Sequence, residues 1–463
     1  MNTKQQTLNV LQLSMGFLFI LLASNSQGFI QQAIINNEHA QGTINEHAGY
    51  ISIAIIYGIS TFANFLAAPI IGLLGVRWAM AIGAVTYAIF QAGFLFLNEP
   101  FLYFSSALLG VGGSVIWIGQ GKYIAMNSTK ETAGMHSSLF WGLSQISIVG
   151  CGLFLYFEFN DHSSKNKIDD SKITLFFIVL IAVVAVGSVI LGLLRIPKQD
   201  EFLSDSKVEA EPEMTSKELL YSTFNLLKDR RMLFLSVAFA YTGIELSFWS
   251  GIYPASISFT KKLATNTETI MAFNAIAQGL GQVTAGLLFG ILGDVAKKIG
   301  RIRIVLLGLI VHLLVFVAVY LNFPSDASLD ETNNEGIIKP PSVLIALICA
   351  YFLGFGDACW NTQIFSILIL KYNNKISEAF SLFFFFQSLM TTIAFIYASY
   401  SSMGIHMLVL VVTGVLGFIG FFIADKLPTV EQEAKDNFSS SVDDCKKAPD
   451  DFLKKSDRKI YAA

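Results

Sequence analysis

The residues in this sequence best able to do chemistry are acids placed where acids are costly. Glu245 lies in Thr242-Gly-Ile-Glu-Leu-Ser-Phe-Trp-Ser-Gly251, near the middle of the mostly apolar stretch 232–259. At a bilayer midplane an acidic side chain costs about 2.5 kcal/mol or more, so such residues face a bundle interior or a water-filled cavity. Asp357 sits at similar depth in the apolar stretch 342–370, since each helical residue advances only about 1.5 Å. Two carboxyl groups at that depth can bind a proton or a cation. Equally, each can be hydrogen-bonded and serve only helix packing.

Other residues qualify by position. Asn25 and Gln27 occupy about the place in the first apolar stretch that Glu245 holds in the seventh, and would complete a polar ring. With Gln31 and Gln32 they also read as ordinary polarity where that helix ends. Gln120 and Lys122 stand near one end of the fourth stretch, where a lysine snorkels to the interface or pairs with an acid across a cavity. Trp117, Trp249 and Trp360 are candidates to stack on a sugar or an organic cation, against the commoner role of packing. The run Phe383 to Phe386 reads as lipid-facing bulk.

The elements that must position these residues are helices. A chain of 463 residues that is 53% hydrophobic and only 14% charged is too apolar for a soluble protein. Stretches long enough to cross a bilayer fall at roughly 8–30, 49–74, 78–98, 101–124, 135–158 and 173–194, and again at 232–260, 268–292, 303–323, 342–370, 377–399 and 403–425. The first reads as a retained helix, not a signal peptide. Backbone groups in lipid must be satisfied within their own segment, and the ten-residue alternation of a barrel is missing, so the fold class is an all-α membrane protein with twelve transmembrane helices.

Between the two sets lies the polar loop 195–231, whose stretch 217–228 has apolar residues at helical spacing and is expected to lie along the membrane surface. The tail 426–463 is polar and expected to be disordered. With both termini cytoplasmic, the cytoplasmic side collects Arg77, Lys130, Arg230, Arg231, Lys297, Lys298, Arg301, Arg303, Lys371 and Lys375. That placement obeys the positive-inside rule. The sequons at Asn127 and Asn437 then face the cytoplasm and go unused.

The two sets repeat one another. Leu109-Gly-Val-Gly112, Trp117 and Gln120 match Leu353-Gly-Phe-Gly356, Trp360 and Gln363, while Ser138-Leu-Phe140 and Gln145 match Ser381-Leu-Phe383 and Gln387. Two parallel six-helix repeats, 1–194 and 232–425, are the arrangement of major facilitator transporters, which bind at the interface between the halves. Asp294, closing Gly290-Ile-Leu-Gly-Asp294, together with Arg301 and Arg303 is similar to the inner-loop motif of that superfamily and reads as a conformational brace. The matching loop of the first half, Gly72-Leu-Leu-Gly-Val-Arg77, has no acid.

Gly243-x-Glu245-x-x-Phe248, Gly119-Gln120-Gly121-x-Tyr123 and Phe140-Trp141 with Gln145 resemble the uncoordinated-93-like family, nearest its branch called major facilitator domain-containing protein 11. The resemblance spans about 8–425. It implies a multi-pass protein of the plasma membrane or an endomembrane, in a family some of whose members regulate a channel or escort receptors. Two functions are therefore expected in parallel. One is a secondary transporter of a small polar solute, by alternating access, coupled to a proton or cation. The other is a non-transporting accessory protein that regulates or traffics a membrane channel or receptor.

No nucleophile, metal or cofactor constellation is visible, so neither an enzyme nor a cofactor is expected. No nucleotide-binding motif and no basic patch occurs, which excludes ATP-driven transport and nucleic acid as a partner. The partners expected are the lipid bilayer, the solute and, on the second reading, the channel or receptor.

Overall fold

The computed structural model describes residues 3–40, 44–45, 48–160, 170–197, 215–398 and 400–428. The remaining residues, which include most of the tail with Asn437 and the centre of the linker loop, lie outside the described set. Among the described residues the chain forms sixteen α-helices. They are α1 (Thr3–Ala40), α2 (Ala48–Leu74), α3 (Val76–Ala92), α4 (Glu99–Met126), α5 (Ala133–Ser144), α6 (Ile146–Asn160), α7 (Asp170–Gly192), α8 (Ser216–Leu226), α9 (Arg230–Ser247), α10 (Tyr253–Phe259), α11 (Thr267–Ile291), α12 (Gly293–Ile299), α13 (Arg301–Asn322), α14 (Val343–Lys371), α15 (Ile376–Ala398) and α16 (Met403–Lys426).

Ten segments among the described residues are long and apolar enough to cross a membrane. The two other stretches expected to cross are helical as well. One, α3, is 17 residues long. The other, α11, carries Asn274, Gln278 and Gln282, which lower its hydropathy. The first helix runs well past its expected end, to Ala40, so Asn25, Gln27 and Gln31 belong to its body and not to a fraying terminus.

Local chemistry sets the breaks. Gly75 (φ 74) and Gly300 (φ 84) adopt the left-handed backbone that only glycine takes cheaply, and each makes the turn before the third helix of its set. In the seventh stretch, a π-helical segment, Phe248–Ile252, separates α9 from α10. Pro254, the second residue of α10, lacks an N–H for the helical ladder just where the register shifts. The fifth stretch is likewise interrupted, at Gln145 between α5 and α6.

Helices α1 to α7 pack among themselves, and so do α9 to α16. The two sets meet chiefly along α5–α6 against α11, α2 against α15, α4 against α15 and α5 against α14. The linker helix α8 closes one end of the bundle, held at its start by a capping box between Thr215 and Glu218. It touches both sets. Phe224 stacks on Phe65 of α2 at 4.8 Å, and Ser222 donates to Glu378 of α15 at 3.2 Å.

The Phe383 to Phe386 run is not lipid-facing bulk throughout. Phe383 and Phe384 are buried, because α15 turns them toward Phe239, Phe365 and Trp117 at the seam between the sets.

Candidate functional site

Glu245 on α9 and Asp357 on α14 come together within hydrogen-bonding reach of each other. They are 1% and 3% exposed. Their depth follows from the helices that carry them, and small residues near each acid let its helix approach a further neighbour. Gly243, two residues before Glu245, lies directly against the Gln387 carbonyl of α15. Gly354, one turn before Asp357, lies against the Gln278 carbonyl of α11.

Around the pair stands a shell of polar and aromatic groups. The Asn361 amide donates to Asp357 Oδ1 at 2.8 Å, fixing one carboxyl oxygen from the next turn of the same helix. The indoles of Trp249 and Trp141 also lie beside Asp357. Trp141 belongs to α5 and donates its N–H to Gln282 of α11 at 3.1 Å, so the pair sits where the two sets of helices meet.

His312 of α13 completes the shell. Its Nε2 is 3.1 Å from the Leu353 carbonyl and 3.7 Å from Glu245 Oε1, and its Nδ1 is 2.5 Å from the Tyr241 hydroxyl. A carbonyl only accepts, so Nε2 carries the hydrogen and Nδ1 accepts from Tyr241. Polar groups thus line up as Tyr241, His312, Glu245, Asp357 and Asn361 across α9, α13 and α14, with a 3.7 Å gap between His312 Nε2 and Glu245 Oε1. Several of their atoms have no bonding partner among the described residues, namely Glu245 Oε1, Asp357 Oδ2 and Asn361 Oδ1, and the same holds for Trp249 Nε1 and Trp360 Nε1 beside them.

The other candidates divide by place. Trp360 packs on Tyr241 at 4.8 Å, and Trp117 is enclosed by Phe17, Trp141 and Phe384. Both indoles therefore already pack against other aromatic rings. Asn25 donates to Ser147 of α6 at 3.4 Å, and Gln27 is buried; neither is bonded to the carboxyl pair. Gln120 is buried, its amide atoms unpaired among the described residues.

Lys122 and Glu378 attract one another across the seam between α4 and α15. Beside them Gly121 abuts the Phe380 ring, where a β-carbon would come within 2.6 Å. This contact seals the linker end. Of the brace, Arg301 binds Asp425 at 2.6 and 3.0 Å, tying the start of α13 to the end of α16, and Arg303 is exposed. The Asp294 side chain lies outside the described residues.

Sequence reasoning overlooks His312, Tyr241, Asn361 and Gln282. A signal for His312 is present all the same: an ionisable side chain inside the apolar stretch 303–323 invites the same question as Glu245.

The family model described as ion channel regulatory protein UNC-93 matches residues 40–422. Two curated relatives, each named UNC93-like protein MFSD11, come from Xenopus tropicalis and Xenopus laevis. Both are 34% identical over 435 residues, covering 91% of this chain and 96% of their own. Protein unc-93 homolog A of Homo sapiens is 22% identical over 444 residues, 88% of this chain and 90% of its own. Among solved structures, a major facilitator superfamily transporter, FucP, in the outward conformation, superposes with a TM-score of 0.63. It covers 90% of this chain and 99% of its own at 12% identity. A variant of the same E. coli fucose:proton symporter gives 0.60 over 90% and 98%, also at 12% identity. At that identity the likeness is one of fold.

Proposed function

We propose, from the premise that the chain belongs to the UNC-93 family and has the major facilitator fold, that it is a secondary transporter moving a small polar solute by alternating access, with the Glu245–Asp357 pair as its proton-coupling centre. The observation that carries this reading is the buried carboxyl pair at the meeting of the two sets of helices. A carboxylate accepts hydrogen bonds only, so two in contact are bonded when one of them holds a proton. No lysine or arginine is bonded to either among the described residues. One bound positive charge, taken up from one side of a membrane and released to the other, is what a coupled transporter needs.

Units 1–194 and 232–425 rock against one another about the seams, with the linker end, where the basic residues gather, on the cytoplasmic side. The Lys122–Glu378 attraction and the Gly121–Phe380 fit close that end. Opening toward the cytoplasm requires both to part. Arg301 and Asp425 hold the third and last helices of the second unit together while it moves.

The test compares the small-molecule content of cells expressing the wild type with that of cells expressing Glu245→Gln at equal abundance. A solute that differs identifies the cargo, and loss of its proton-driven uptake is the expected result. Unchanged uptake in Glu245→Gln would remove the coupling role.

The family description as an ion channel regulator favours a second reading, an accessory protein that controls or traffics a channel or receptor. It requires a membrane partner that stays bound through mild detergent extraction. Recovery of the chain alone, with a solute that depends on Glu245, decides against it.

A further inference from the structure

Trp117, Trp141, Trp249 and Trp360 are not equivalent. Trp117, Trp141 and Trp360 each pack against other aromatic rings, whereas Trp249 has no aromatic partner among the described residues. It is also only partly buried, and its Nε1 is unpaired among them. Trp249 stands in the π segment Phe248–Ile252, one turn past Glu245, so the break in the helix sets an unstacked indole beside the pair. π segments cost helical regularity and recur at functional sites.

The charge balance is equally one-sided. Glu245 Oε1, Asp357 Oδ2 and Asn361 Oδ1 are buried acceptors without partners among the described residues. The described cations that reach the bundle interior are engaged elsewhere: Lys122 with Glu378, Arg231 with the carbonyls of Ala424, Leu427 and Pro428, and Arg301 with Asp425. An anionic solute would meet two carboxyl groups and no positive side chain. A cationic one would meet unpaired acceptors and a partly exposed indole on which no aromatic ring stacks among the described residues, and an indole is the best aromatic surface for a cation.

Resting on the transport reading, we propose that the solute is a small organic cation bearing one ammonium group, and that it and a proton occupy the Glu245–Asp357 pair in turn, so that the protein is an exchanger. With one shared proton the pair carries a single negative charge. When the ammonium binds, the carboxyl O–H bond breaks, the proton leaves to solvent, and two carboxylates with one ammonium again carry a single negative charge. One cation in therefore means one proton out. The unpaired N–H groups of Trp249 and Trp360 add a preference for a hydrogen-bond acceptor elsewhere on the solute.

The titratable groups that face the pair are Tyr241 from α9, His312 from α13 and Cys359 from α14; α5 and α11 contribute the neutral Trp141 and Gln282. None of these neighbours is a lysine or arginine that would take the place of the ammonium.

The full-length protein, purified in detergent and placed in weakly buffered solution with a pH-sensitive dye, is titrated with choline and a panel of small primary to quaternary ammonium ions. Each is set against its uncharged carbon isostere. At least one cation is expected to bind with release of about one proton while its isostere does not. Trp249→Leu, which leaves the pair intact, should weaken that cation about tenfold and leave the proton count unchanged. Glu245→Gln should abolish proton release.

Proton release by none of the cations overturns the proposal, and so does equal binding of a cation and its isostere. So does a Trp249→Leu protein with unchanged preference for the cation. These outcomes are read without any flux. Binding with proton release but no uptake in proteoliposomes would sink the transport reading and leave the ligand class standing.

Discussion

The helix pair α3–α4 in the first half and the pair α13–α14 in the second share one steric device and put it to different uses. Gly83 and Gly308 lie against the carbonyls of Gly112 and Gly356, where an added β-carbon would stand 2.9 and 3.3 Å away. Gly112 in turn makes the notch that admits the Thr86 side chain, and Gly356 the notch that admits the His312 ring. The Thr86 hydroxyl is satisfied at once by the Gly83 carbonyl of its own helix, at 2.7 Å. The His312 ring reaches out to Tyr241, Leu353 and Glu245. The residue after each notch continues the contrast, for Gly113 stands where the second half has Asp357. A duplicated packing solution has thus stayed neutral in one half and come to hold a cluster of polar and ionisable groups in the other. Shape is common property of the two halves, and charge is not.

The comparison can be broken most severely at the notches. Gly356→Ala should cost about 3 kcal/mol, since the new methyl group occupies the space of the imidazole and overpacks a buried contact. It should also remove proton release and coupled uptake. Gly112→Ala should lower thermal stability by a similar amount yet keep coupling per folded molecule, as measured by melting in detergent and by uptake normalised to folded protein. If both variants lose coupling equally, the division between a neutral and a polar half fails.

A milder cut removes the side chain in the notch. His312→Ala leaves the Tyr241 hydroxyl without its partner and should cost about 3 kcal/mol with altered pH dependence of uptake, whereas Thr86→Ala should cost about 1 kcal/mol or less with the pH profile unmoved. The turns sharpen the contrast further. Asp425→Asn breaks a partly buried pair with Arg301 after Gly300 and should cost about 1 kcal/mol. Arg77→Ala, after Gly75, removes only an arginine lying 4.9 Å from the centre of the Trp78 ring and should cost about half that.

The smallest effect lies on the linker that joins the halves. The Thr215 backbone N–H holds the Glu218 carboxyl below the ordinary carboxylate range. A group depressed in this way contributes above its unfolded value and stops contributing as pH falls through its folded one. Amide exchange at the start of α8 should therefore quicken, relative to the intrinsic rate, only in acid solution below about pH 4.

Much of this architecture is legible in the sequence because bilayer thickness and hydropathy fix the helices one at a time. Glu245 and Asp357 stand out for the same reason, as single residues in the wrong solvent. What the sequence hides is which helix faces which. The contact between those two acids joins residues more than a hundred positions apart, and the Lys122–Glu378 attraction more than two hundred. The second lies beside Gly121, where α4 comes close to α15. The inner-loop motif likewise gives no sign that Arg301 binds Asp425, at the end of the last described helix. The phenylalanines after Leu382 escape a sequence reading because apolar residues look the same there whether they meet lipid or a neighbouring helix.

The seam between α5–α6 and α11 has a consequence for how the chain tolerates change. Gly142 and Gly286 meet backbone to backbone, and Gly152, Gly279 and Gly290 continue the line, with β-carbons there falling within 2.9 Å of the opposite helix. None of these five is ionisable, and none touches the carboxyl pair. Yet any side chain at these five places would wedge the two halves apart along most of their length. Inherited or engineered variants that silence the protein should therefore fall more often on these five residues, which do no chemistry, than on the acids that do.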